Sequence, residues 1–346
     1  MSIAKQVGSM CIFGFSGSSL DDAQTRSEVE ELKALHVRGV ILFNHDISGN
    51  HPRNIQSPKQ LKKLVEDLHN ELGDDIIVAI DQEGGAVARL NHQDGFLETI
   101  SAAEFALRDE VDQSQYAMKQ AMQLASLGIN LNFAPCIDLA IDPHSPIIAG
   151  RNRSFGTDIE QVLRDASIII DEHRRAGVRC CLKHFPGHGS AMLDSHLGVC
   201  DITRTHSDSE LDIYRHALPL FGDRVAIMPG HLMHREIDLS FPASLSHRHI
   251  TELLRNQLGF DGVVITDSLD MRAIRDQFGD VECCIHAINA GADVLLDGLN
   301  APGFREEGAP RRIVEGILEA IDHGDVVDHE FRLAQSTDRL AQFFDQ

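Results

Sequence analysis

The sequence predicts a (β/α)8 TIM-type barrel, because short apolar runs alternate with longer helix-favouring segments along its 346 residues. The apolar runs are continuous, which is typical of parallel strands that are buried on both faces. No linker rich in proline, glycine or serine interrupts the chain, so we expect a single domain over residues 1–346. An open doubly wound sheet is the rival, but it would need a glycine-rich phosphate turn that GFSGSS at 14–19 does not supply.

Eight apolar runs are predicted as strands, and each is followed by a predicted helix. In chain order, the strands are predicted at 11–15, 39–43, 76–80, 130–134, 178–185, 225–228, 262–267 and 293–296. The helices between and after them are predicted at 22–35, 58–72, 102–127, 159–176, 209–218, 247–258, 271–290 and 311–321. The last segment, 328–346, is predicted to be a helix that covers the edge of the barrel. Eight such units fit the usual size of a closed barrel.

Composition narrows the classes of function. Hydrophobic residues make up 42% of the chain and charged residues 24%, which predicts a folded protein with a sizeable core. The net charge of -22 argues against a nucleic acid partner. No run is long and apolar enough for a membrane span, and the amino-terminal segment lacks the pattern of a signal peptide. We therefore expect a cytoplasmic monomer whose seven cysteines, none in a CxxC pair, are reduced core residues.

Charged or imidazole side chains follow five consecutive predicted strands, the third to the seventh. They are Asp81 with Arg89, Asp138 with Arg153, Lys183 with His184, His231 with His234, and Asp267. Each alone has an ordinary structural explanation, such as a helix cap, a turn or a surface ion pair. Because the carboxyl ends of barrel strands meet at one face, their joint occurrence there predicts a single polar cleft.

The stretch KHFPGHGSAMLDSH at 183–196 allows two chemical interpretations. One is a metal site, because the region is rich in potential imidazole ligands: His184, His188, His196, His231 and His234. Pro186 and Gly187 prevent the first two histidines from sharing a helix face, and no HExxH motif is present, so this is the weaker interpretation.

The second interpretation is proton transfer. Asp194 and His196 are two residues apart, so in a bent loop the carboxylate can hold one ring nitrogen while the other gives or takes a proton. Gly187 and Gly189 would allow such a loop to move. This interpretation needs no metal and no organic cofactor.

Four motifs carry a resemblance to a known family: KHFPGHG followed at an interval of four residues by DSH, DQEGG at 81–85, RSFG at 153–156, and GVVITD ending at Asp267. From about residue 39 to residue 296 the chain resembles the glycoside hydrolase family 3 β-N-acetylglucosaminidases. The resemblance implies a (β/α)8 barrel, Asp267 as the catalytic nucleophile, His196 as the acid/base and Asp194 as its partner. It also implies that the terminal N-acetylglucosamine is bound by Asp81, Arg89, Arg153, Lys183 and His184.

The resemblance implies a retaining exo-β-N-acetylglucosaminidase that acts on cytoplasmic muropeptides, GlcNAc-anhydroMurNAc with or without peptide. Alternatives are a glycoside phosphorylase or β-glucosidase of the same family, a non-catalytic sugar-binding barrel and a metal-dependent hydrolase. The chain departs from the family at Ala86, where arginine is usual, in SPIIAGRN at 145–152 and in PGHLMH at 229–234. These changes bear on substrate specificity more than on the class of reaction.

Overall fold

The computed structural model describes residues 1–49, 51–193, 200–300 and 308–345. Its strands are β1 (Cys11–Gly14), β2 (Gly39–Leu42), β3 (Ile77–Ile80), β4 (Gln82–Gly84), β5 (Val87–Ala88), β6 (Leu131–Asn132), β7 (Arg179–Phe185), β8 (Cys200–Asp201), β9 (Val225–Pro229), β10 (Leu232–Met233) and β11 (Leu295–Asp297). Two short pairs, β4 with β5 and β8 with β10, stand apart from the main sheet and were not predicted.

The main sheet is parallel and has seven strands in the order β11-β1-β2-β3-β6-β7-β9. The predicted seventh strand, 262–267, makes only one isolated bridge to each side, Val264 to Ile227 and Ile265 to Val294. The backbone amide of Val264 donates to the Asp293 carboxylate at 2.8 Å, so a side chain takes a place that a strand neighbour would hold. The described residues thus form one α/β domain with a curled parallel sheet, and a complete eight-stranded barrel stays a prediction.

The helices are α1 (Ile3–Ser9), α2 (Ala23–Ala34), α3 (Pro58–Leu72), α4 (Ala102–Phe105), α5 (Glu110–Ser126), α6 (Ile159–Arg175), α7 (Asp208–Phe221), a π-helix (Arg248–Gln257), α8 (Arg272–Phe278), α9 (Asp280–Ala290), α10 (Ala309–His323) and α11 (His329–Asp345). Two predicted helices, 102–127 and 271–290, are each split. Asp109 caps a new helix by accepting from the Asp112 amide, and Gly279 breaks the other with φ 73°. In the described parts of the chain, no helix has both the length and the apolar character to cross a membrane.

The strands separate two apolar clusters. Residues on one side of the strands pack against the helices, for example Phe13, Val40 and Val78. Residues on the other side form an inner cluster that includes Ile12, Ile41, Ile77, Ala79, Leu131, Cys181, Ala226 and Ile265. This alternation is the two-residue period of a strand, here with apolar side chains on both faces, as the continuous apolar runs predict.

The carboxyl-terminal helix α11 closes one end of the inner cluster. Leu340 and Phe343 belong to that cluster and are 1% and 2% exposed. The Arg179 guanidinium, at the start of β7, lies 5.8 Å from the Phe343 ring centroid. The prediction of a terminal helix is confirmed over His329–Asp345, and this helix packs against the inner cluster.

Candidate active site

The two-residue period of the strands places three charged side chains on the inner side of the sheet. Asp81, Lys183 and Asp267 each come two residues after a residue of the inner apolar cluster, namely Ala79, Cys181 and Ile265. At the carboxyl ends of the strands the inner lining therefore changes from apolar to charged. The 2.8 Å contact between Lys183 Nζ and Asp81 Oδ1 agrees with this inward direction.

These side chains line a cavity of about 680 Å³, a size that suits a small ligand. All six residues predicted to hold or attack the substrate in the described part of the chain line it: Asp81, Arg89, Arg153, Lys183, His184 and Asp267. Apolar side chains complete the wall, among them Ile41, Phe43, Ile147, Met228 and Leu296. The single polar cleft predicted from the strand ends is present.

The floor of the cavity is formed by buried ion pairs among Asp81, Glu83, Arg153 and Lys183. Lys183 Nζ contacts Asp81 Oδ1 at 2.8 Å and Glu83 Oε1 at 2.7 Å. Arg153 grips the same Glu83 with two bonds, Nε to Oε2 at 2.8 Å and Nη2 to Oε1 at 2.7 Å. Burial alone would raise the pKa of Glu83, but the charges of Arg153 and Lys183 lower it below its usual range. The cluster is therefore ionised at neutral pH.

A second network fixes His184. Its Nδ1 lies 2.6 Å from Asp138 Oδ2, and its backbone amide donates to both oxygens of that carboxylate at 3.1 Å. Burial would raise the pKa of Asp138, but the interaction with His184 lowers it well below its usual range. The carboxylate thus holds a proton on Nδ1, and His184 Nε2 lies 3.4 Å from Arg153 Nη2 at the cavity wall.

Within the described residues, one set of potential metal ligands occurs, Cys136, Asp138 and His184, with donor atoms within 4.8 Å of one another. Its chemistry does not favour a metal. Asp138 already accepts from His184 Nδ1, from the Cys136 thiol at 3.2 Å and from the backbone amides of His184 and His188. Burial raises the pKa of the Cys136 thiol well above its usual value, so this sulfur is held as a thiol.

The remaining predicted residues divide into three groups. Arg89 Nη2 lies 3.5 Å from Asp81 Oδ2, and Asp267, half-buried, accepts from the Ser268 amide at 2.7 Å. Asp194 and His196 lie outside the described residues. His231 bonds to Ser244 Oγ and the Ser268 carbonyl, and neither it nor His234 lines the cavity, so the structure does not add them to the site.

The sequence analysis placed Asp138 in the predicted cleft without a partner and gave Glu83 no role, yet these two carboxylates organise the two networks. Each lay within a segment that the motifs singled out, Glu83 in DQEGG and Asp138 after the fourth predicted strand. Their partners Arg153 and His184 are 70 and 46 residues away in sequence. A buried carboxylate near buried cations is the signal, and it requires knowledge of the fold.

Comparison with known proteins agrees with this architecture. The family described as "Glycosyl hydrolase family 3 N terminal domain" matches residues 3–342. A β-hexosaminidase from Tolumonas auensis is 34% identical over 286 residues, covering 82% of this chain and 80% of that protein. The chain therefore belongs to glycoside hydrolase family 3.

Other relatives are longer. β-Hexosaminidase A from Pseudoalteromonas piscicida is 33% identical over 290 residues, which cover 78% of this chain but 47% of that protein. The structure of a family 3 β-N-acetylglucosaminidase from Paenibacillus sp. superposes with a TM-score of 0.84 at 31% identity, covering all of this chain and 63% of that one. A β-N-acetylhexosaminidase from Beutenbergia cavernae gives a TM-score of 0.85 at 25% identity and matches 100% of this chain and 99% of that one.

Proposed function

We propose that this protein is a retaining exo-β-N-acetylglucosaminidase that removes a terminal N-acetylglucosamine. The observation that carries the proposal is the ion-paired floor formed by Asp81, Glu83, Arg153 and Lys183 in the same cavity that Asp267 lines. Such a floor offers fixed donors and acceptors to sugar hydroxyls and to an acetamido group. The identity of the proposed sugar comes from the names of the relatives, β-hexosaminidase and β-N-acetylglucosaminidase.

In the proposed mechanism, an Asp267 oxygen attacks the anomeric carbon while the glycosidic bond breaks and the leaving oxygen takes a proton from His196. Water then attacks the same carbon, gives its proton to His196 and releases Asp267. Asp194 holds the imidazole in the required orientation. The His196–Asp194 pair replaces the second carboxyl group that retaining glycosidases ordinarily use.

The proposed substrate-binding roles follow from the positions of five predicted residues around the cavity. Asp81 and Arg89 face the cavity beside Lys183, while Arg153 and His184 form the adjoining wall. We propose that all five bind the terminal sugar. Because Asp81 is engaged by both Lys183 and Arg89, it stays ionised and accepts bonds from hydroxyl groups.

The natural substrate that we propose is GlcNAc-anhydroMurNAc, with or without peptide, in the cytoplasm, acted on by a monomer of one domain, residues 1–346. We further propose that Val264 and Ile265 complete the eighth position of a barrel through their bridges to Ile227 and Val294. The reaction as proposed uses no metal, which agrees with the filled acceptor sites of Asp138.

An activity panel tests the proposal. The aryl β-N-acetylglucosaminide is expected to be cleaved faster than the aryl β-glucoside and β-xyloside, equally well with a chelator, and without sugar 1-phosphate when phosphate is added. Asp267→Asn is expected to lower turnover more than about a thousandfold, because no covalent intermediate can form. Cleavage of the glucoside alone would refute the specificity, and a parent protein without turnover would indicate a sugar-binding barrel.

A further inference from the structure

Two arginines that line the cavity, Arg151 and Arg272, differ from its other cations. Both are exposed, whereas Lys183 and Arg153 are buried and held by Asp81 and Glu83. Arg89 is half-buried and also contacts Asp81. Within the parts of the chain that the structure describes, the side chains of Arg151 and Arg272 form neither an ion pair nor a hydrogen bond.

Such a pair is unusual in a protein with 53 acidic and 31 basic side chains. The acids of the cavity wall have other partners: Asp81 binds Lys183, Asp270 accepts from Ser268 Oγ and the Asn300 amide, and Asp46 accepts from Ser48 Oγ. The mouth therefore presents two solvated guanidinium groups to whatever enters, above a floor whose charges are already paired.

Arg151 also borders a second pocket beside the cavity. It and Ala86 line both the main cavity and a second, shallower pocket of about 590 Å³ that reaches Ser101 and Leu107. If the terminal sugar occupies the buried floor, the group attached to it extends toward the exposed part of the lining, to which Arg151 and Arg272 belong.

We infer that Arg151 and Arg272 form an aglycone subsite that selects a substrate carrying a carboxylate next to the cleaved bond. This inference rests on the proposed hexosaminidase function and adds the residues that recognise the leaving group in its acid form, in which no peptide is attached to the carboxylate. Guanidinium groups bind carboxylates through paired, charge-assisted hydrogen bonds. The two arginines thus serve as specificity residues that contact the aglycone, while the ionised floor binds the terminal sugar.

Two disaccharides that differ only in charge test this assignment: GlcNAc-β-1,4-MurNAc with a free lactyl carboxylate, and the same disaccharide with that group as a methylamide. The measured quantity is the ratio of kcat/KM for the acid to kcat/KM for the amide. We expect Arg151→Gln with Arg272→Gln to lower this ratio about 3- to 10-fold. The double lysine variant, which keeps the charge but loses the paired donors, is expected to give an intermediate ratio.

Arg174→Gln is the matched control for net charge. Arg174 is exposed at the end of α6, so it lies at the opposite end of the sheet from the cavity, and this variant is expected to keep the parent ratio. Raising the salt concentration is expected to reduce the parent ratio toward that of the double glutamine variant, because exposed charges are screened.

The outcomes separate the two proposals. A parent protein that cleaves neither the disaccharides nor the aryl β-N-acetylglucosaminide overturns the hexosaminidase function and the inference with it. A parent that cleaves the aryl substrate but neither disaccharide overturns the inference alone. A parent that cleaves the amide normally, with a ratio that the double glutamine substitution does not change, overturns the inference alone.

Discussion

At the scale of single residues, Glu83 joins the two buried cations of the cavity floor, Arg153 and Lys183. Its carboxylate, 5% exposed, binds both Arg153 and Lys183, whose side chains are 7% and 3% exposed. Removing one charge from such a group leaves buried cations with less compensation, which is more costly than losing an exposed ion pair. Glu83 therefore links the stability of the fold to the shape of the sugar site.

Glu83→Gln is expected to lower the free energy of unfolding at pH 7 by about 3 to 5 kcal/mol. Glu71→Gln is the matched control, since Glu71 pairs with Lys33 where both side chains are about half exposed, and it is expected to cost less than about 1 kcal/mol. Urea unfolding measures both. Equal effects of the two substitutions would show that the buried cluster adds no stability.

The difference in unfolding free energy between the parent and Glu83→Gln depends on pH, and its direction follows from the sign of the Glu83 pKa shift. The folded-state pKa of Glu83 lies below its usual value of 4.5, so its contribution is present above pH 4.5 and is lost as the pH falls toward the folded-state value. The gap between the parent and Glu83→Gln is therefore expected to stay constant from pH 6 to 8 and to narrow below about pH 4.5. A gap that widens in acid would contradict the assignment.

At this scale, the sequence predicts features that depend on neighbouring residues of the chain, but it does not predict contacts between distant segments. Lys183 and His184 are predictable because they end an apolar run, and Asp267 because it ends another. The pairing of Arg153 with Glu83 joins segments 70 residues apart, and neither side chain shows by itself which partner it will meet. Pairing partners at strand ends depend on the order of strands in the sheet, which periodicity does not determine.

At the scale of elements, contacts between distant segments also explain why the predicted seventh strand, 262–267, differs from a regular strand. The run GVVITD is apolar enough for a strand, but the Asp293 carboxylate takes the Val264 amide and the Thr266 hydroxyl accepts from the Leu296 amide at 3.0 Å. These side chains replace part of a ladder, so only isolated bridges form. The predicted helix positions agree with the structure, but α1 (Ile3–Ser9) was not predicted. The internal breaks at Asp109 and Gly279 were also missed, because apolar periodicity continues across both.

Helix α11 offers a test of how the inner cluster is closed. Phe343→Ala removes a ring that is 2% exposed and packs among the inner residues, and is expected to cost about 3 to 5 kcal/mol. Phe331→Ala, on the same helix but 64% exposed, is the matched control and is expected to change stability by less than about 0.5 kcal/mol. Urea unfolding of the two variants compares them, and similar losses would show that α11 does not seal the cluster.

At the scale of the whole molecule, buried titratable groups make stability depend on pH between 5 and 7. Burial lowers the pKa of His173 and of His188 to about 4, and that of His249 to about 3, from 6.5. Burial, with the neighbouring charge of Asp270, raises the pKa of Asp297 to about 7. The histidines bind fewer protons in the folded state than in the unfolded state, and Asp297 binds more, so the two effects have opposite signs.

The change in bound protons on unfolding is larger for the three histidines together than for Asp297. Near pH 5.5 the unfolded chain is expected to bind between one and two more protons than the folded protein at these four sites, so unfolding free energy falls by about 2 kcal/mol for each unit that the pH is lowered. The net charge of -22 acts the other way, because acid reduces repulsion between carboxylates. At about 0.5 M salt that repulsion is screened within a few ångströms, while the buried groups keep their shifts.

Urea unfolding at 0.5 M salt is therefore expected to show a protein that is less stable at pH 5 than at pH 7. His249→Leu removes one of the three histidines and is expected to reduce the slope by roughly a third to a half, because it deletes a group that is neutral when folded and protonated when unfolded. His247→Leu is the matched control, since the His247 side chain is 51% exposed, and it is expected to leave the slope unchanged. Greater stability at pH 5 than at pH 7 in high salt would contradict neutral, buried histidines, and an unchanged slope in His249→Leu would exclude that residue.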